Sequence, residues 1–224
     1  MRSYGQYCPI SRASEILAER WVPIVVRNLL LGARTFGEVL EGAPGMSRSL
    51  LSQRLRELER AGVVEIRPAA RGSTYRLTDA GRDLARVIDA MGEWAARWTE
   101  VTTEHADPRA VLWSWSRSSL VRERLPAGRV LARFDFPGQP APRRTLWLLF
   151  EGRGCEVCVR HPGYEEDLVV RAYALAFARW HAGALEWEEA LADGSIEVEG
   201  PPALARALPT WNGRSRFATQ ARRR

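Results

Sequence analysis

At 224 residues the chain can hold one large or two ordinary domains, and its 46% hydrophobic content suits a globular protein able to bury a core. The formal net charge is +6 and every one of its 33 basic residues is arginine, an excess that fits a nucleic-acid partner without identifying one. Three cysteines make no disulfide framework, the opening MRSYGQYCPISRASE lacks the apolar core of a signal peptide, and no apolar run approaches the roughly 18 residues a bilayer requires, so a cytoplasmic chain with no membrane partner is expected.

Ser11 to Ala18 reads as a short helix and Trp21 to Leu31 as a second, ended by Gly32. Pro23 falls in the first turn of the second helix, where a missing N–H costs nothing. Thr35 is placed to cap a third helix, Phe36 to Leu40, and EGAPG turns the chain toward Ser47. From Ser47, Leu51, Leu55 and Leu58 repeat at i, i+4 and i+7, which draws one apolar stripe down a helix that Gly62 then stops. The opposite face carries Arg48, Ser49, Ser52, Gln53 and Arg56, all hydrogen-bond donors, with no acid before Glu57. VVEIR and TYRL have strand composition, and AARGS between them is a basic turn with Arg71 at its tip.

That order is the layout of a winged helix-turn-helix. The donor face, with Ser47, would meet base edges and phosphates in the major groove, and Arg71 the neighbouring backbone or minor groove. The plain alternative is an amphipathic helix with a solvated polar face. Seven arginines against three glutamates between Pro44 and Arg76 do not separate the two; cap, stripe, glycine stop and basic hairpin in this order favour DNA. Beyond the hairpin, Thr78 is expected to cap one long helix from Asp79 to about Thr102. Its stripe of Leu84, Val87, Ile88, Met91, Trp94, Ala95, Trp98 and Val101 is wide enough to want a partner, either the same helix (79–102) of a second subunit or a second domain of the same chain.

CPI, AERWVPIVVRNLLLG, TFGEVL, GMSRSLLSQRLRELERAGVV and YRLTDAGRDL, in this order over about residues 7–98, resemble the HxlR family of bacterial winged-helix regulators. The resemblance implies a homodimeric transcription factor with Ser47 to Ala61 as recognition helix, bound to double-stranded operator DNA with inverted half-sites. The AARGS wing is shorter than that family's and lacks its proline-rich run. The resemblance also aligns Cys8 with a cysteine that some members use as a redox or electrophile switch. Here Cys8 precedes a helix start and lies near Arg12, and either feature can lower a thiol pKa.

His105 to Arg109 reads as a linker. Afterwards Arg129–Phe136 alternates as a strand; TLWLLFE, CEVCVRH and DLVV supply three more; AYALAFARWH and Glu186–Ala192 are helices; SIEVEG is a closing strand; and Pro201–Pro202 open a last helix ending near Trp211. Strands with clustered helices indicate an α+β domain. The block RWHAGALEWEEALADGSIEVEGPPALARALPTW resembles the C-terminal part of the sterol carrier protein (type 2) fold, which implies an apolar small-molecule or lipid effector. Phe134, Trp147, Leu149, Phe177 and Trp180 are candidate cavity residues, with core packing as the alternative for each.

Cys155 and Cys158 with His161 carry metal-ligand spacing, but residues three apart on a strand point to opposite faces, so no metal site and no cofactor is expected. His105 and His181 have no nucleophile beside them in sequence, and no catalytic residues are assigned. The architecture expected is two domains: a mainly α winged helix-turn-helix for binding DNA and dimerising over 1–104, then an α+β sterol-carrier-like domain over 110–213, then a solvated basic tail over 214–224. A lipid carrier whose helix-turn-helix serves only assembly is the rival reading.

Overall fold

The helix-turn-helix is built where local sequence demands it. Helices α1 (Pro9–Leu17), α2 (Val22–Leu30), α3 (Phe36–Glu41) and α4 (Arg48–Arg60) precede a hairpin of β1 (Val64–Pro68) and β2 (Ser73–Leu77). The computed structural model describes residues 3–70 and 72–218, and the chain divides into two compact units, Met1–Gly92 and Glu93–Arg224. Thr35 caps α3 with a full capping box, its side chain accepting from the Glu38 N–H. Ser47 caps α4 by accepting from the Leu50 N–H, and Gly62 follows at φ 70°, in the left-handed region that favours glycine. β1 and β2 pair antiparallel from Val64–Leu77 to Pro68–Ser73, and Thr35 adds a single bridge to Thr74.

The first core gathers Val22, Val25, Val26 and Leu29 of α2, Val39 of α3, Leu51, Leu55 and Leu58 of α4, and Tyr75 and Leu77 of β2. Asn28 is wholly buried among them, and its amide donates to the Val39 carbonyl at 2.8 Å. A buried amide left without that bond would cost about 1–3 kcal/mol, so Asn28 fixes α3 against α2.

The single helix expected over 79–102 is instead two. α5 (Asp79–Asp83), capped by Thr78, is followed at Leu84 by α6 (Ala85–Trp98). α6 stops at Trp98 because Thr99, Val101, Thr102 and Thr103 form a β-branched run of poor helix propensity, in which Thr99 turns its hydroxyl back to the Ala95 carbonyl. Ile88 enters the first core and Val101 packs on the second, while Val87, Met91, Trp94 and Trp98 remain exposed at i, i+4, i+7 and i+11.

The expected linker at His105–Arg109 is also corrected. Asp107 accepts from the Arg109 N–H and caps α7 (Pro108–Ser118), with Pro108 in the first turn. The rest of the second unit comprises β3 (Val130–Asp135), α8 (Ala141–Arg144), β4 (Thr145–Glu151), β5 (Gly154–Cys158), β6 (Leu168–Ala172), α9 (Ala174–Ala182), α10 (Trp187–Ala192), β7 (Ile196–Glu199) and α11 (Pro202–Ala207). Its five-stranded sheet has the order β5-β4-β3-β6-β7, antiparallel throughout except for the parallel β3–β6 pair.

One face of this sheet buries an aromatic cluster. Trp115 of α7 is the hub, with ring centroids 6.0 Å from Phe134, 6.1 Å from Phe150, 6.4 Å from Phe177 and 5.6 Å from Trp180, and its indole N–H donates to the Trp211 carbonyl. The basic tail expected from Arg214 is packed at its start: Arg214 pairs with Glu186 at 2.5 Å, and a side chain added at Gly183 would stand 2.6 Å from the Ala218 Cβ. Residues 219–224 lie outside the described residues.

Candidate nucleic-acid interface

Helical phase divides α4 cleanly. Leu51, Leu55 and Leu58 are buried, while Arg48, Ser49, Gln53 and Arg56 are exposed on the other side with Ser47 at the cap; Ser52 is half-buried. The expected donor face is therefore assembled on one helix and stands bare within its unit. Its members are not equally available. The Arg48 guanidinium lies 4.9 Å over the Phe36 ring, Ser47 and Ser49 share a 3.1 Å hydroxyl contact, and Gln53 commits one amide hydrogen to Glu57. Arg56 has no such tie among the described residues.

Arg54, two residues from Arg56, does something else. It donates to Glu57 at 2.6 Å and the Arg20 carbonyl at 3.1 Å, and pairs with Glu19 at 2.8 Å, so it clamps α4 to the turn between α1 and α2. Burial works to raise the Glu57 pKa, but hydrogen bonds from Arg54 and Gln53 outweigh it and hold the carboxylate below its ordinary range. Arg27 similarly reaches the Gly42 carbonyl at 2.6 Å and braces the turn between α3 and α4. Sequence reasoning missed Arg27, Asn28 and Arg54. Asn28 carried the one usable signal, a lone uncharged polar residue within VPIVVRNLLLG. In the hairpin, Ala69 donates to the Gly72 carbonyl and closes the turn, and Arg67 pairs with Glu65 at 2.9 Å. Arg71, the expected wing contact, lies outside the described residues.

The chain matches the HxlR-like helix-turn-helix family model over residues 16–103. It is 37% identical over 100 residues to the uncharacterized HTH-type transcriptional regulator YvaP of Bacillus subtilis, a match covering 43% of this chain and 93% of that protein. The chain belongs to the HxlR family. Further relatives include the HTH-type transcriptional regulator YodB of Bacillus subtilis, 33% identical over 42% of this chain and 87% of its own length. Among solved structures, reduced YodB aligns with a TM-score of 0.37 at 30% identity over 42% of this chain and 97% of its own. The redox regulator HypR in its oxidized form aligns at 0.39 and 27% identity over 42% of this chain and all of its own. The chain is thus an HxlR-type transcriptional regulator whose family match ends at residue 103, with a separate unit containing a mixed sheet after it.

In this HxlR chain Cys8 stands at the N-cap of α1, half-exposed. The backbone N–H groups of Ser11 and Ile10, in the first turn of α1, lower its thiol pKa. Cys155 and Cys158 behave oppositely, because burial raises both thiols. They pair across the ladder with Phe150 on the core face and Trp147 on the other, as strand alternation requires. Among the described residues no group of three or more His, Cys, Asp or Glu could hold a metal ion, and no helix is long and apolar enough to cross a membrane.

The five candidate cavity residues do not come together. Phe134, Phe177 and Trp180 belong to the aromatic cluster, with Phe134 and Phe177 5.6 Å apart and Phe177 and Trp180 5.3 Å apart. Trp147 and Leu149 are half-exposed on the opposite face of the sheet, where the Trp147 indole donates to Glu166 at 2.8 Å and meets the His161 ring edge-on.

His181 proves less isolated than its sequence suggests. It is buried; its Nε2 is 2.9 Å from Ser114 Oγ and its Nδ1 is 3.1 Å from the Asn212 amide nitrogen. The Asn212 oxygen accepts from the Arg214 N–H at 2.7 Å, so the amide nitrogen is the end that donates to Nδ1. Nε2 then carries the proton and donates to Ser114, the reverse of the polarity that activates a serine nucleophile. His105 serves as a cap, its Nδ1 2.9 Å from the Thr102 hydroxyl.

Proposed function

We propose that the chain regulates transcription as a homodimer that lays each α4 in the major groove of operator DNA. Ser47, Arg48, Ser49, Ser52, Gln53 and Arg56 would form the reading face, and Arg71 would reach from the wing. One observation carries this reading: Arg48, Ser49, Gln53 and Arg56 are exposed on the side of a capped helix opposite its buried leucine stripe. Arg56 is free to pair bidentately with a guanine edge, whereas Ser47 and Ser49 sit where helix N-terminal N–H groups meet phosphates. The exposed row Val87, Met91, Trp94 and Trp98 on α6 supports pairing with the same helix of a second chain. The test is footprinting of the promoter upstream of the chain's own gene: a protected pair of inverted half-sites is expected, and no protection at any protein concentration defeats the reading.

For the second unit we propose an effector domain of sterol-carrier type that takes an apolar molecule. What supports this is the order of its strands and helices and the half-exposed apolar Trp147 and Leu149, which lie on the face turned away from the packed aromatic cluster. An effector shifts operator affinity only if it binds the DNA-competent and incompetent states differently. Titration with acyl-CoA should change that affinity; a flat response argues against an apolar effector.

A second reading rests on Cys8. Its helix-cap position and lowered pKa favour a thiolate that oxidants or quinones attack, with loss of DNA binding as the output. Cys8→Ser should abolish the response of DNA binding to diamide and leave the reduced affinity unchanged.

A further inference from the structure

At the base of the wing lies a feature that neither α4 nor Cys8 uses. The outward side of the β1–β2 ladder, the end of α2 and the start of α5 enclose a solvent-open cleft of about 600 Å³. Four arginines line it, Arg34, Arg67, Arg76 and Arg82, against two acids, Glu65 and Asp79. Both acids are already engaged: Glu65 with Arg67 at 2.9 Å, and Asp79 with Arg82, which also donates to the Leu77 carbonyl at 2.7 Å. Arg34 spends one nitrogen on two backbone carbonyls, Leu29 and Ala33, which hold it in place without neutralising it. Arg76 faces Glu65 across the ladder and acts on it through charge alone, its guanidinium making no side-chain hydrogen bond among the described residues, so Glu65 is shared between Arg67 and Arg76.

The cleft lining therefore carries two more guanidinium groups than carboxylates, with Arg34 pre-oriented, beside an apolar wall that includes half-buried Leu30. Guanidinium forks match carboxylate and phosphate oxygens bidentately, and the leucine wall suits a short hydrocarbon body behind such a head. We propose that this cleft binds a small organic anion, a carboxylate or phosphate carried on a compact apolar group. The cleft sits at the Glu65–Arg76 end of the ladder, away from the Pro68–Ser73 end that leads into the turn. A ligand here would touch α2, the hairpin and α5 together, and so couple to the elements that position α4 and α6.

The experiment is titration of the full chain with benzoate, followed by calorimetry, for the wild type, Arg76→Gln and Arg206→Gln, the last a matched charge loss on the second unit. Expected are one saturable equivalent per chain in the wild type and Arg206→Gln, and at least a tenfold weakening in Arg76→Gln. Equal weakening in both variants means a general basic field and overturns the site, as does the absence of saturable binding. A DNA arm separates the other source of the same chemistry. If benzoate does not bind but Arg76→Gln lowers the salt slope on a mixed-sequence duplex by about one, the anion is a backbone phosphate and the small-molecule site is overturned. The benzoate arm needs no DNA, so its failure is distinct from failure of the operator reading.

Discussion

The side-chain amide of Asn212 donates to Nδ1 of His181 across 3.1 Å, and this bond requires the imidazole to be neutral. Burial drives the His181 pKa down to about 4. A proton therefore binds the unfolded chain more readily than the folded one. Stability is fully present above the ordinary value of 6.5 and is lost as the pH falls from there toward 4. One proton over that interval is worth up to about 3 kcal/mol. Urea unfolding of the wild type between pH 7 and pH 4 should show this loss in the second unit, and His181→Gln should flatten it; parallel curves for the two proteins would refute the assignment.

Arg54 ties α4 to the turn after α1 through Glu19, and its side chain is 11% exposed, matching Glu57. Removing one partner of a half-dry ion pair leaves the other charge short of hydrogen bonds. Arg54→Ala should therefore cost about 2–4 kcal/mol in chemical denaturation. Glu57→Gln keeps the shape and removes one charge, so its cost should be the smaller of the two. The reverse order would mean that Arg54 contributes through its aliphatic stem alone.

How far these sites were legible depends on the distance over which each is specified. The Ser47 cap, the leucine stripe and the Gly62 stop are local, and the helix appeared within a residue of its expected ends. Phase placed Arg56 on the open face, but nothing in the sequence identified Glu19 as a partner 35 positions before Arg54. Asp107-Pro108 was ambiguous on its face: the same dipeptide suits a linker or a cap followed by a first-turn proline, and only the burial of Trp115 decides for the helix. The candidate cavity residues fall on two faces of the sheet for a related reason. Alternation along β4 placed Trp147 and Leu149 opposite Leu148 and Phe150, but the sequence did not say which side α7 and α9 would cover.

If α4 reads DNA through its exposed donor face, Arg48→Ala with Arg56→Ala should weaken promoter binding by about 2–6 kcal/mol and leave the unfolding midpoint nearly unchanged. Both side chains are exposed, and neither holds a buried partner. Titration at fixed salt measures the loss directly. Full promoter occupancy by the double variant would remove α4 from the interface.

Gly81 tests the junction between hairpin and α5. Its backbone runs so close beneath β1 that an added Cβ would lie 2.2 Å from the Val63 carbonyl oxygen and 3.0 Å from Leu77. The obstructing atom is backbone, which cannot rotate away. Gly81→Ala should destabilise the first unit by about 2–4 kcal/mol, although alanine is the better helix former elsewhere. A neutral or stabilising result would show that α5 slides freely on the hairpin.

The exposed row on α6 gives the last test. Trp94 is 62% exposed and Trp98 65%, on the face that also carries Val87 and Met91. Fully burying one large apolar side chain is worth about 1.5–3 kcal/mol, and a twofold interface repeats each contact. Trp94→Asp with Trp98→Asp should therefore raise the dimer dissociation constant by about a hundredfold or more, since the new carboxylates would also face each other. Light scattering across a concentration series should show the wild type as a dimer where the variant is a monomer, with promoter affinity falling in step because two half-sites no longer act together. A variant that stays dimeric would move the interface off α6. A wild type that is monomeric at every concentration would remove paired recognition altogether and leave each α4 to bind a single half-site.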